Sequence, residues 1–290
     1  MKAKPDCIAC MFRQALNTAR HVTDDPEIQR RVLFRLAEAV AGMSLDVNPA
    51  VLSKPAYDAV AEITGISDPF KQAKAETNRE ILALVPVLQQ EIKQSDDPLD
   101  TGLHLAAAGN IIDFGIRSRY DLRPDIEAVL KQDFAVNALD RFKKELKPGV
   151  NLLYLGDNAG EIILDRLFIE ELKERGANIT FSVKSGPIIN DATMEDAEIS
   201  GLTSLVKVIE TGSDDIGVNW AKASAQFKQA FKSADIIISK GQGNFETCAA
   251  RRENIYFLLK AKCELVAREL GVNEGDIVFK RNPNFKTGTA

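Results

Sequence analysis

Three oxygen-bearing side chains lie in one short turn, Gly156-Asp157-Asn158-Ala159-Gly160-Glu161. The six residues before this turn form an apolar run that predicts a buried strand, and residues 161–175 carry apolar side chains at helical spacing. Asp157 and Asn158 therefore follow the carboxyl end of a strand, where open α/β sheets place their binding sites. Carboxylate and amide oxygens are the hard ligands that magnesium and manganese prefer, so the turn predicts a divalent-cation site.

A second carboxylate follows the next predicted strand. That strand ends at Val183, and the loop after it contains Asn190 and Asp191. Because neighbouring parallel strands end at the same edge of a sheet, Asp157 and Asp191 could meet above it and supply the second carboxylate that such a cation usually requires. The alternative is that Asn190 or Asp191 only caps the following helix.

A lysine followed by glycines comes after a third predicted strand, in the segment Lys240-Gly241-Gln242-Gly243-Asn244. Glycines let backbone N–H groups approach an anion closely, the start of a helix favours negative charge, and the lysine adds a point charge. The loop therefore predicts a phosphate-binding site. It is not a P-loop, because the lysine precedes the glycines, and an ordinary strand-to-helix turn is the alternative.

Two polar residues interrupt an apolar stretch in the amino-terminal half. Asn110 and Asp113 are three residues apart and so share one helix face. They are either simple structural groups or an amide and a carboxylate that a helical cap supplies to a cleft. The chain has two histidines, His21 and His104, and neither lies near a Gly-x-Ser-x-Gly turn, so hydrolysis by a triad is not expected.

The elements that must position these residues change in kind near residue 148. Before it, apolar residues recur almost throughout at helical spacing, and Lys147-Pro148-Gly149 then breaks the pattern. Predicted helices cover Ile28–Ala41, Pro69–Ile92, Gly102–Ile116 and Pro124–Leu146. We expect an all-helical domain over residues 1–148.

Beyond that boundary, short apolar runs alternate with amphipathic ones. The predicted strands are Asn151–Leu155, Asn178–Val183, Leu205–Ile209, Asp235–Ser239, Ile255–Leu259 and Asp276–Phe279. Such alternation implies right-handed crossovers and a mainly parallel sheet. We therefore expect a Rossmann-like, three-layer α/β/α domain over residues 149–290.

Composition narrows the function classes. The formal net charge is −5, and no basic face or arginine-rich run is present, so a nucleic-acid binder is not expected. No segment approaches the roughly 18 unbroken apolar residues of a membrane span, and the Met-Lys-Ala-Lys-Pro-Asp start lacks an apolar signal core. These observations predict a cytoplasmic protein that does not bind membranes.

The four cysteines do not suggest a disulfide framework in a chain of 290 residues. Cys7 and Cys10 have the Cys-x-x-Cys spacing of metal or redox sites, and a zinc site requires the fold to gather them with Cys248 and Cys263. The alternative is that the amino-terminal pair packs as small apolar residues.

Together these motifs resemble one family, the metal-dependent damage-control phosphatases, also known as domain of unknown function 89. The chain is similar to the shorter prokaryotic branch, which carries the paired cysteines. The resemblance spans nearly the whole length and rests on motifs in the family's order: Cys7-x-x-Cys10 followed by Arg13-Gln14, Gly109-Asn110-x-x-Asp113, Gly156-Asp157-Asn158-Ala159-Gly160-Glu161, Asn190-Asp191-Ala192 and Lys240-Gly241-x-Gly243-Asn244.

The resemblance implies a helical domain on a Rossmann-like domain, with one divalent cation (manganese, cobalt, nickel or magnesium) held by Asp157, Asn158 and Asp191. Lys240 matches the family's phosphate-contacting lysine. The residues that line the cleft by the same resemblance are Glu161, Asn110, Asp113 and Asn244, beside Gly241 and Gly243. The substrates it implies are phosphate esters of small metabolites, such as sugar phosphates and nucleotide or cofactor-related phosphates, in metabolite damage control.

The mechanism expected from these residues is phosphoryl transfer to water, with Asp157, Glu161 and Lys240 as the catalytic residues. Lys240 and the glycine amides would offset charge on the phosphoryl oxygens. Asp157 could alternatively act as a general base or as a nucleophile, although the Asp-x-Asp-x-Thr signature of haloacid dehalogenases is absent.

Two rival functions stay open at the level of sequence. A methyltransferase is one, because the turn after the first strand resembles an S-adenosylmethionine loop, although Lys184 stands where an acid would normally bind the ribose. A non-catalytic module that binds a metal or a phosphorylated metabolite is the other. Turnover separates the module from the enzymes.

Overall fold

A computed structural model of the chain describes residues 1–111 and 130–285, without the side chains of Asn110 and Ile111. The first five helices are α1 (Pro5–Val22), α2 (Pro26–Val40), α3 (Pro49–Thr64), α4 (Lys71–Gln94) and α5 (Pro98–Ile111). Proline opens four of them, because the first helical position needs no N–H donor. The side chains of Asp25 and Asn48 cap α2 and α3 by accepting backbone N–H bonds.

The remaining elements of the described residues alternate between strand and helix. They are β1 (Val136–Asn137), α6 (Leu139–Glu145), β2 (Asn151–Leu155), α7 (Glu161–Glu174), β3 (Asn178–Val183), α8 (Met194–Ile199), α9 (Leu202–Leu205), β4 (Lys207–Glu210), α10 (Ala225–Ser233), β5 (Ile236–Lys240), α11 (Gln242–Cys248), β6 (Ile255–Lys260), α12 (Glu264–Leu270) and β7 (Ile277–Arg281).

The seven strands of the described residues form one sheet in the order β1-β7-β6-β5-β2-β3-β4. Neighbours are parallel except β6 and β7. The chain runs outward from β2 to β4, returns to β5 on the other side of β2, and then runs outward again. The crevice above β2 and β5 is thus the point where the strand order reverses, which is where doubly wound sheets bind ligands.

Apolar layers cover both faces of the sheet. Tyr154 and Phe181 stack at 5.2 Å between ring centroids on the face covered by α7, and Leu153 and Phe227 belong to the layer on the face covered by α10. Strands covered on both faces read as continuous apolar runs, which is why β2, β5 and β6 were predictable. The fold class expected from the sequence, a Rossmann-like three-layer unit with a mainly parallel sheet, is confirmed.

The helical region divides between two cores. Helices α1, α2 and α3 pack around their own apolar cluster, whereas α4 and α5 pack on α7 of the sheet unit. Gly102 and Gly109 permit the close α5–α7 contact, since a Cβ on Gly109 would lie 2.6 Å from the Cγ of Glu161. Helix α5 is thereby fixed directly beside the predicted site.

The six predicted strands are all present, with ends that shift by at most two residues. The all-helical prediction for residues 1–148 is wrong at β1, which pairs with β7. The predicted helix Pro124–Leu146 is wrong where β1 interrupts it, whereas its described part is helical at residue 130 and over α6. Two residues carry too little periodicity to signal a strand. The domain boundary near residue 148 stays a prediction.

No helix within residues 1–111 and 130–285 combines the length and the apolar character needed to span a membrane.

A buried glutamate makes stability depend on pH where α11 meets α3. Burial raises the pKa of Glu246 from 4.5 to about 7, although Gln242 donates to its carboxylate at 3.0 Å. Between those two values the folded protein holds a proton that the unfolded chain has released, so stability falls as pH rises from about 4.5 to 7. Above pH 7 the loss is complete.

Glu246→Gln should therefore stabilise the protein above pH 7, by about 1 to 3 kcal/mol, and change little near pH 4.5. Urea denaturation at pH 5 and pH 8 measures this difference. The exposed Glu269, changed to Gln, serves as the control and should give the same difference at both pH values. An equal effect of Glu246→Gln at both pH values would contradict the assignment.

Candidate active site

The loops after β2 and β3 are joined by backbone hydrogen bonds. Asn158 and Asp191 form an antiparallel bridge, the N–H of Ala159 donates to the carbonyl of Asn190 at 2.8 Å, and the N–H of Ala192 donates to that of Asp157 at 2.7 Å. The expected meeting of Asp157, Asn158 and Asp191 above the sheet is thus observed. Asp191 lies two residues before the Thr193 cap of α8, so the capping alternative does not describe it.

The loop that presents Asp191 contains a strained residue. Ile189 has a φ of 47°, which is rare for a β-branched side chain. Such a conformation costs about 1 to 3 kcal/mol and persists only where the surroundings enforce it. Here the enforcing contacts are the bonds that join the two loops, and the result is a fixed position for Asn190 and Asp191.

The two aspartates form an electronegative centre. Burial, the charge of Asp191 and the charge of Glu161 hold the pKa of Asp157 well above its usual value, against the opposing charges of Lys262 and Lys184. Burial and Glu161 also raise the pKa of Asp191, although Lys184 forms an ion pair with it at 3.5 Å. Carboxylates that repel each other in a buried place are the electrostatic condition of a cation site.

The amide of Asn158 is oriented by two carboxylates. Its Nδ2 donates to Asp157 Oδ2 at 3.0 Å and to Glu161 Oε2 at 2.8 Å. Both amide hydrogens are therefore used, which leaves Oδ1 as the amide atom that could bind a cation. Glu161, which has no exposed surface, thus fixes the direction in which Asn158 presents its oxygen.

Lys240 is fully buried and uses all three of its donors. Its Nζ donates to Glu161 Oε1 at 2.6 Å, to Asp165 Oδ1 at 2.5 Å and to the carbonyl of Ala106 in α5 at 2.8 Å. Burial alone would lower the pKa of Lys240, but Asp165 and Glu161 together hold it above its usual value. Direct contact between Lys240 and phosphate stays a prediction, and it requires the loss of one of these three bonds.

Asp165 completes this buried group. Burial raises its pKa to about 7 against the charge of Lys240, and Tyr154 donates to its Oδ1 at 2.6 Å. Its Oδ2 has no hydrogen-bond partner among the described residues. Sequence reasoning missed Asp165, although its spacing of four residues from Glu161 places both on one helix face.

The glycine-rich loop lies directly under the acids. Gly241 has a φ of 74°, and a Cβ there would lie 1.9 Å from Asp157 Oδ2, so the carboxylate rests against the Cα. The N–H of Gly241 donates to the carbonyl of Leu258 at 3.1 Å and is therefore engaged within the sheet. A Cβ on Gly243 would lie 2.8 Å from Ile216, so this glycine serves close packing of α11.

Asn244 ties two site loops together. Its Nδ2 donates to the carbonyl of Gly156 at 3.0 Å and to that of Lys240 at 2.8 Å. Both amide hydrogens are used, so the predicted substrate contact would fall to its Oδ1. Two of the other predicted cleft groups, Asp113 and the side chain of Asn110, lie outside the described residues.

Two further polar residues support the site. Lys184, at the end of β3, donates to the carbonyls of Asp215 at 3.0 Å and Gly217 at 2.5 Å, beside its ion pair with Asp191. Its position after a strand end, like that of Lys240, was a usable signal. Asn78 of α4 accepts from the N–H of Gly160 at 2.7 Å, and nothing in a helical pattern marks it.

The donor set fits a hard cation. Among residues 1–111 and 130–285, no three His, Cys, Asp or Glu side chains are arranged to hold a metal. A cation here would therefore need the Asn158 oxygen in addition to the carboxylates of Asp157 and Asp191. Such an all-oxygen set suits magnesium or manganese, and a cation would offset the negative charges that raise the pKa values of the two acids.

The same finding excludes a four-cysteine zinc site from the described part of the chain. Cys7 packs against the core of α1, α2 and α3, which agrees with the apolar alternative. Cys248 is buried in the layer beneath α10 and α12. His104 contacts Asp100 and Phe134 and does not reach the acids.

A cavity of about 640 Å³ opens at the opposite edge of the sheet, beside the amino-terminal ends of β2, β3 and β4. Asn151, Asn178, Lys207 and Gln229 are among its lining residues, and none of the predicted site residues is. The candidate site is therefore assigned from its carboxylate and amide side chains and not from the volume of this cavity.

Known proteins resemble this chain over nearly its whole length. The model of the damage-control phosphatase ARMT1-like domain matches residues 3–278. Damage-control phosphatase PH1575 of Pyrococcus horikoshii is 36% identical over 97% of this chain and 99% of its own. The damage-control phosphatase of Archaeoglobus fulgidus is 33% identical over 97% and 99%. The crystal structure of PH1575, described as a duf89 family protein, superposes with a TM-score of 0.88 over 97% of this chain and 99% of that one.

Proposed function

This chain belongs to the ARMT1-like damage-control phosphatase family, and on that premise we propose that it is a divalent-metal-dependent phosphatase of small metabolites. Its substrates are phosphate esters such as sugar phosphates and nucleotide or cofactor-related phosphates. The role is the removal of damaged or unwanted phosphorylated metabolites. The observation that carries the proposal is the pair of joined loops that brings Asp157, Asn158 and Asp191 together above β2 and β3.

Asp157, Asn158 and Asp191 are the residues that would hold the cation. When bound, a divalent cation supplies positive charge to a phosphoryl oxygen and lowers the pKa of a water molecule. Glu161 accepts a hydrogen bond from the Asn158 amide at 2.8 Å and so holds this side chain beside Asp157. Gly241 leaves space for the Asp157 carboxylate directly above the carboxyl end of β5.

The buried group behind these ligands supplies rigidity. Lys240 holds Glu161 from one side while Asn158 holds it from the other, so the glutamate has no freedom to rotate. Asp165 and the carbonyl of Ala106 fix Lys240 in turn. Catalysis of phosphoryl transfer depends mainly on positioning and electrostatics, and this chain of contacts serves the first of them.

Phosphate release tests the proposal. Metal-stripped protein is supplied with manganese, cobalt, nickel or magnesium and assayed against a panel of small phosphate esters. We expect release with at least one ion and none without. A parallel thermal-shift assay with S-adenosylmethionine examines the methyltransferase, and phosphate-ester binding without release would favour the non-catalytic module. For a folded, metal-binding protein that releases no phosphate, a thermal shift with S-adenosylmethionine or binding of a phosphate ester would reject the proposed function.

Gly241→Ala should disrupt the site through a single methyl group. Alanine would have to adopt a φ of 74° and place its Cβ 1.9 Å from Asp157 Oδ2, so the carboxylate must move. The backbone conformation costs about 1 to 3 kcal/mol, and displacement of a ligand by about 1 Å lowers kcat/KM by about 100-fold. Urea denaturation and phosphate release measure the two effects.

Gly271→Ala is the control for that substitution. Gly271 has a φ of 72°, and a Cβ there meets nothing within 4 Å. Gly271→Ala should lose part of the stability that Gly241→Ala loses, because both positions have a positive φ, and it should keep its phosphatase activity. Full activity in Gly241→Ala would show that the Asp157 position is not needed for turnover.

A further inference from the structure

The paired cysteines of the amino-terminal segment lie in the first turns of α1. Residues three apart in an α-helix have Cα atoms about 5 Å apart, and disulfides join cysteines whose Cα atoms are about 4.4 to 6.8 Å apart. Cys7 and Cys10 are half-buried and reduced. Within the part of the chain that the structure describes, no third His, Cys, Asp or Glu side chain joins them in a metal-binding group. Of the metal and redox chemistries that the Cys-x-x-Cys spacing allows, the redox one is therefore favoured.

The two sulfur atoms have different surroundings. Cys7 Sγ accepts a hydrogen bond from the backbone N–H of Lys4 at 3.4 Å, at the start of the helix. Cys10 Sγ accepts one from Gln14 Nε2 at 3.2 Å. Burial raises the pKa of Cys10, and the negative charges of Cys263 and Cys7 add to the rise. Because the thiolate is the reactive form of a cysteine, Cys10 is the poorer nucleophile, and Cys7 is the sulfur that reacts first with an oxidant.

A line of hydrogen bonds leads from Cys10 toward the candidate active site. Gln14 donates to Cys10 Sγ, and its Oε1 accepts from the hydroxyl of Tyr57 in α3 at 2.8 Å. Burial raises the pKa of Tyr57, and the charges of Asp191 and Cys10 raise it further, so its hydroxyl lies within electrostatic reach of both groups. Asp191 is one of the proposed cation ligands. The sulfur of Cys10 thus helps to hold a side chain that interacts with the cation site.

We propose that Cys7 and Cys10 form a redox modification site, at which a peroxide converts the two thiols into a disulfide and thereby weakens cation binding at the active site. A bond between the two sulfurs turns Cys10 Sγ toward Cys7, so Gln14 Nε2 loses its acceptor. Tyr57, whose hydroxyl Gln14 holds, then loses its fixed position. The effect on hydrolysis rests on the proposed phosphatase function, whereas the disulfide itself does not.

The oxidation takes place in two steps, with hydrogen peroxide as the oxidant. The Cys7 thiolate attacks one peroxide oxygen, the O–O bond breaks, and the departing hydroxide takes up the proton of the Cys7 thiol to become water. Cys7 is then a sulfenic acid. The Cys10 thiolate attacks that sulfur, the S–S bond forms, the S–O bond breaks, and the departing hydroxide leaves as a second water with the proton of Cys10. A dithiol such as dithiothreitol reduces the disulfide again by thiol–disulfide exchange.

Mass spectrometry of the peroxide-treated protein tests the modification site. After alkylation of the remaining thiols, trypsin releases residues 3–13 as one peptide that contains both cysteines. We expect this peptide to escape alkylation after peroxide treatment and to be alkylated at both cysteines after dithiothreitol. Cys263→Ser is the matched control and should form the same disulfide, whereas Cys7→Ser should form none. A wild type that forms no disulfide, or one that joins Cys10 to Cys263, would overturn the proposal.

Manganese affinity, measured by calorimetry, tests the link from the cysteines to the active site. Oxidised wild type should bind manganese about two- to tenfold more weakly than reduced wild type, the effect of one lost hydrogen bond, and dithiothreitol should restore the affinity. Cys7→Ser should keep the affinity of the reduced wild type before and after peroxide. Tyr57→Phe, which breaks the line of hydrogen bonds, should bind as weakly as the oxidised wild type and lose nothing more on oxidation. Equal affinity of oxidised and reduced wild type would contradict the link.

These two measurements separate this inference from the proposed function, because neither requires turnover. If the reversible disulfide forms and lowers manganese affinity while no ester is hydrolysed, the phosphatase proposal fails and the modification site stands. If esters are hydrolysed but the disulfide does not form, or forms without a change in manganese affinity, the phosphatase proposal stands and this inference fails. A reduced wild type that binds no manganese would reject both.

Discussion

Lys240→Met should lower the free energy of unfolding by about 3 to 5 kcal/mol, the cost of leaving a buried charge without its partner. The substitution strands two carboxylates, Glu161 and Asp165, that have no exposed surface. It also leaves the carbonyl of Ala106 without its donor. Urea denaturation at pH 8 measures the loss, and a matched Lys143→Met variant, which breaks a surface ion pair with Asp97, should lose less than about 1 kcal/mol.

A second substitution identifies the cause of that loss. Asp165→Asn removes one of the stranded charges, so the double variant with Lys240→Met should be more stable than the two single losses added together. The recovery is expected to be about 1 to 3 kcal/mol. Strict additivity would mean that Lys240 stabilises the fold by packing and not by charge.

Asp191→Ala should abolish metal binding and phosphate release together. The carboxylate is one of two in the proposed oxygen set, and even groups that only support a metal ligand are worth about 10- to 100-fold. We therefore expect kcat/KM to fall at least about 100-fold, with a parallel loss of manganese affinity in calorimetry. The fold should persist, since the substitution also removes a charge that repels Asp157.

Asp235→Ala is the control aspartate for that experiment. Asp235 accepts from the N–H of Asn151 at 2.9 Å at the amino-terminal edge of the sheet, far from the joined loops. It should retain activity and manganese affinity. Full activity with unchanged metal affinity in Asp191→Ala would reject the assigned site.

The sequence predicted the sheet well because its strands are buried on both faces. Strands β2 and β3 have the predicted ends, Asn151–Leu155 and Asn178–Val183, since each apolar run is bounded by turn residues. Strand β1 was missed because two residues carry no period, and its place beside β7 depends on pairing across more than 140 residues of chain. The local sequence pattern around β1 does not indicate a contact with so distant a strand.

The sequence predicted which loops form the site but not all of the side-chain contacts within it. Because parallel strands end at one edge, the strand assignments allowed the loops of Asp157 and Asp191 to meet, with helix capping as the alternative, and the structure shows that these loops meet. The environment of Lys240 did not follow, since its burial depends on the carbonyl of Ala106 in α5, a helix of the other half of the chain. A lysine after a strand resembles a ligand-binding residue until the packing of a distant helix is known.

Phosphate release as a function of manganese concentration, by metal-stripped wild type and by Asp157→Ala, is the most direct test of the proposed site. Asp157, Asn158 and Asp191 are proposed to hold one cation that hydrolysis requires. We predict saturable, manganese-dependent release by the wild type and a loss of at least about 100-fold in the variant at every concentration. Release that is independent of metal, or equal in the two proteins, would contradict that proposal.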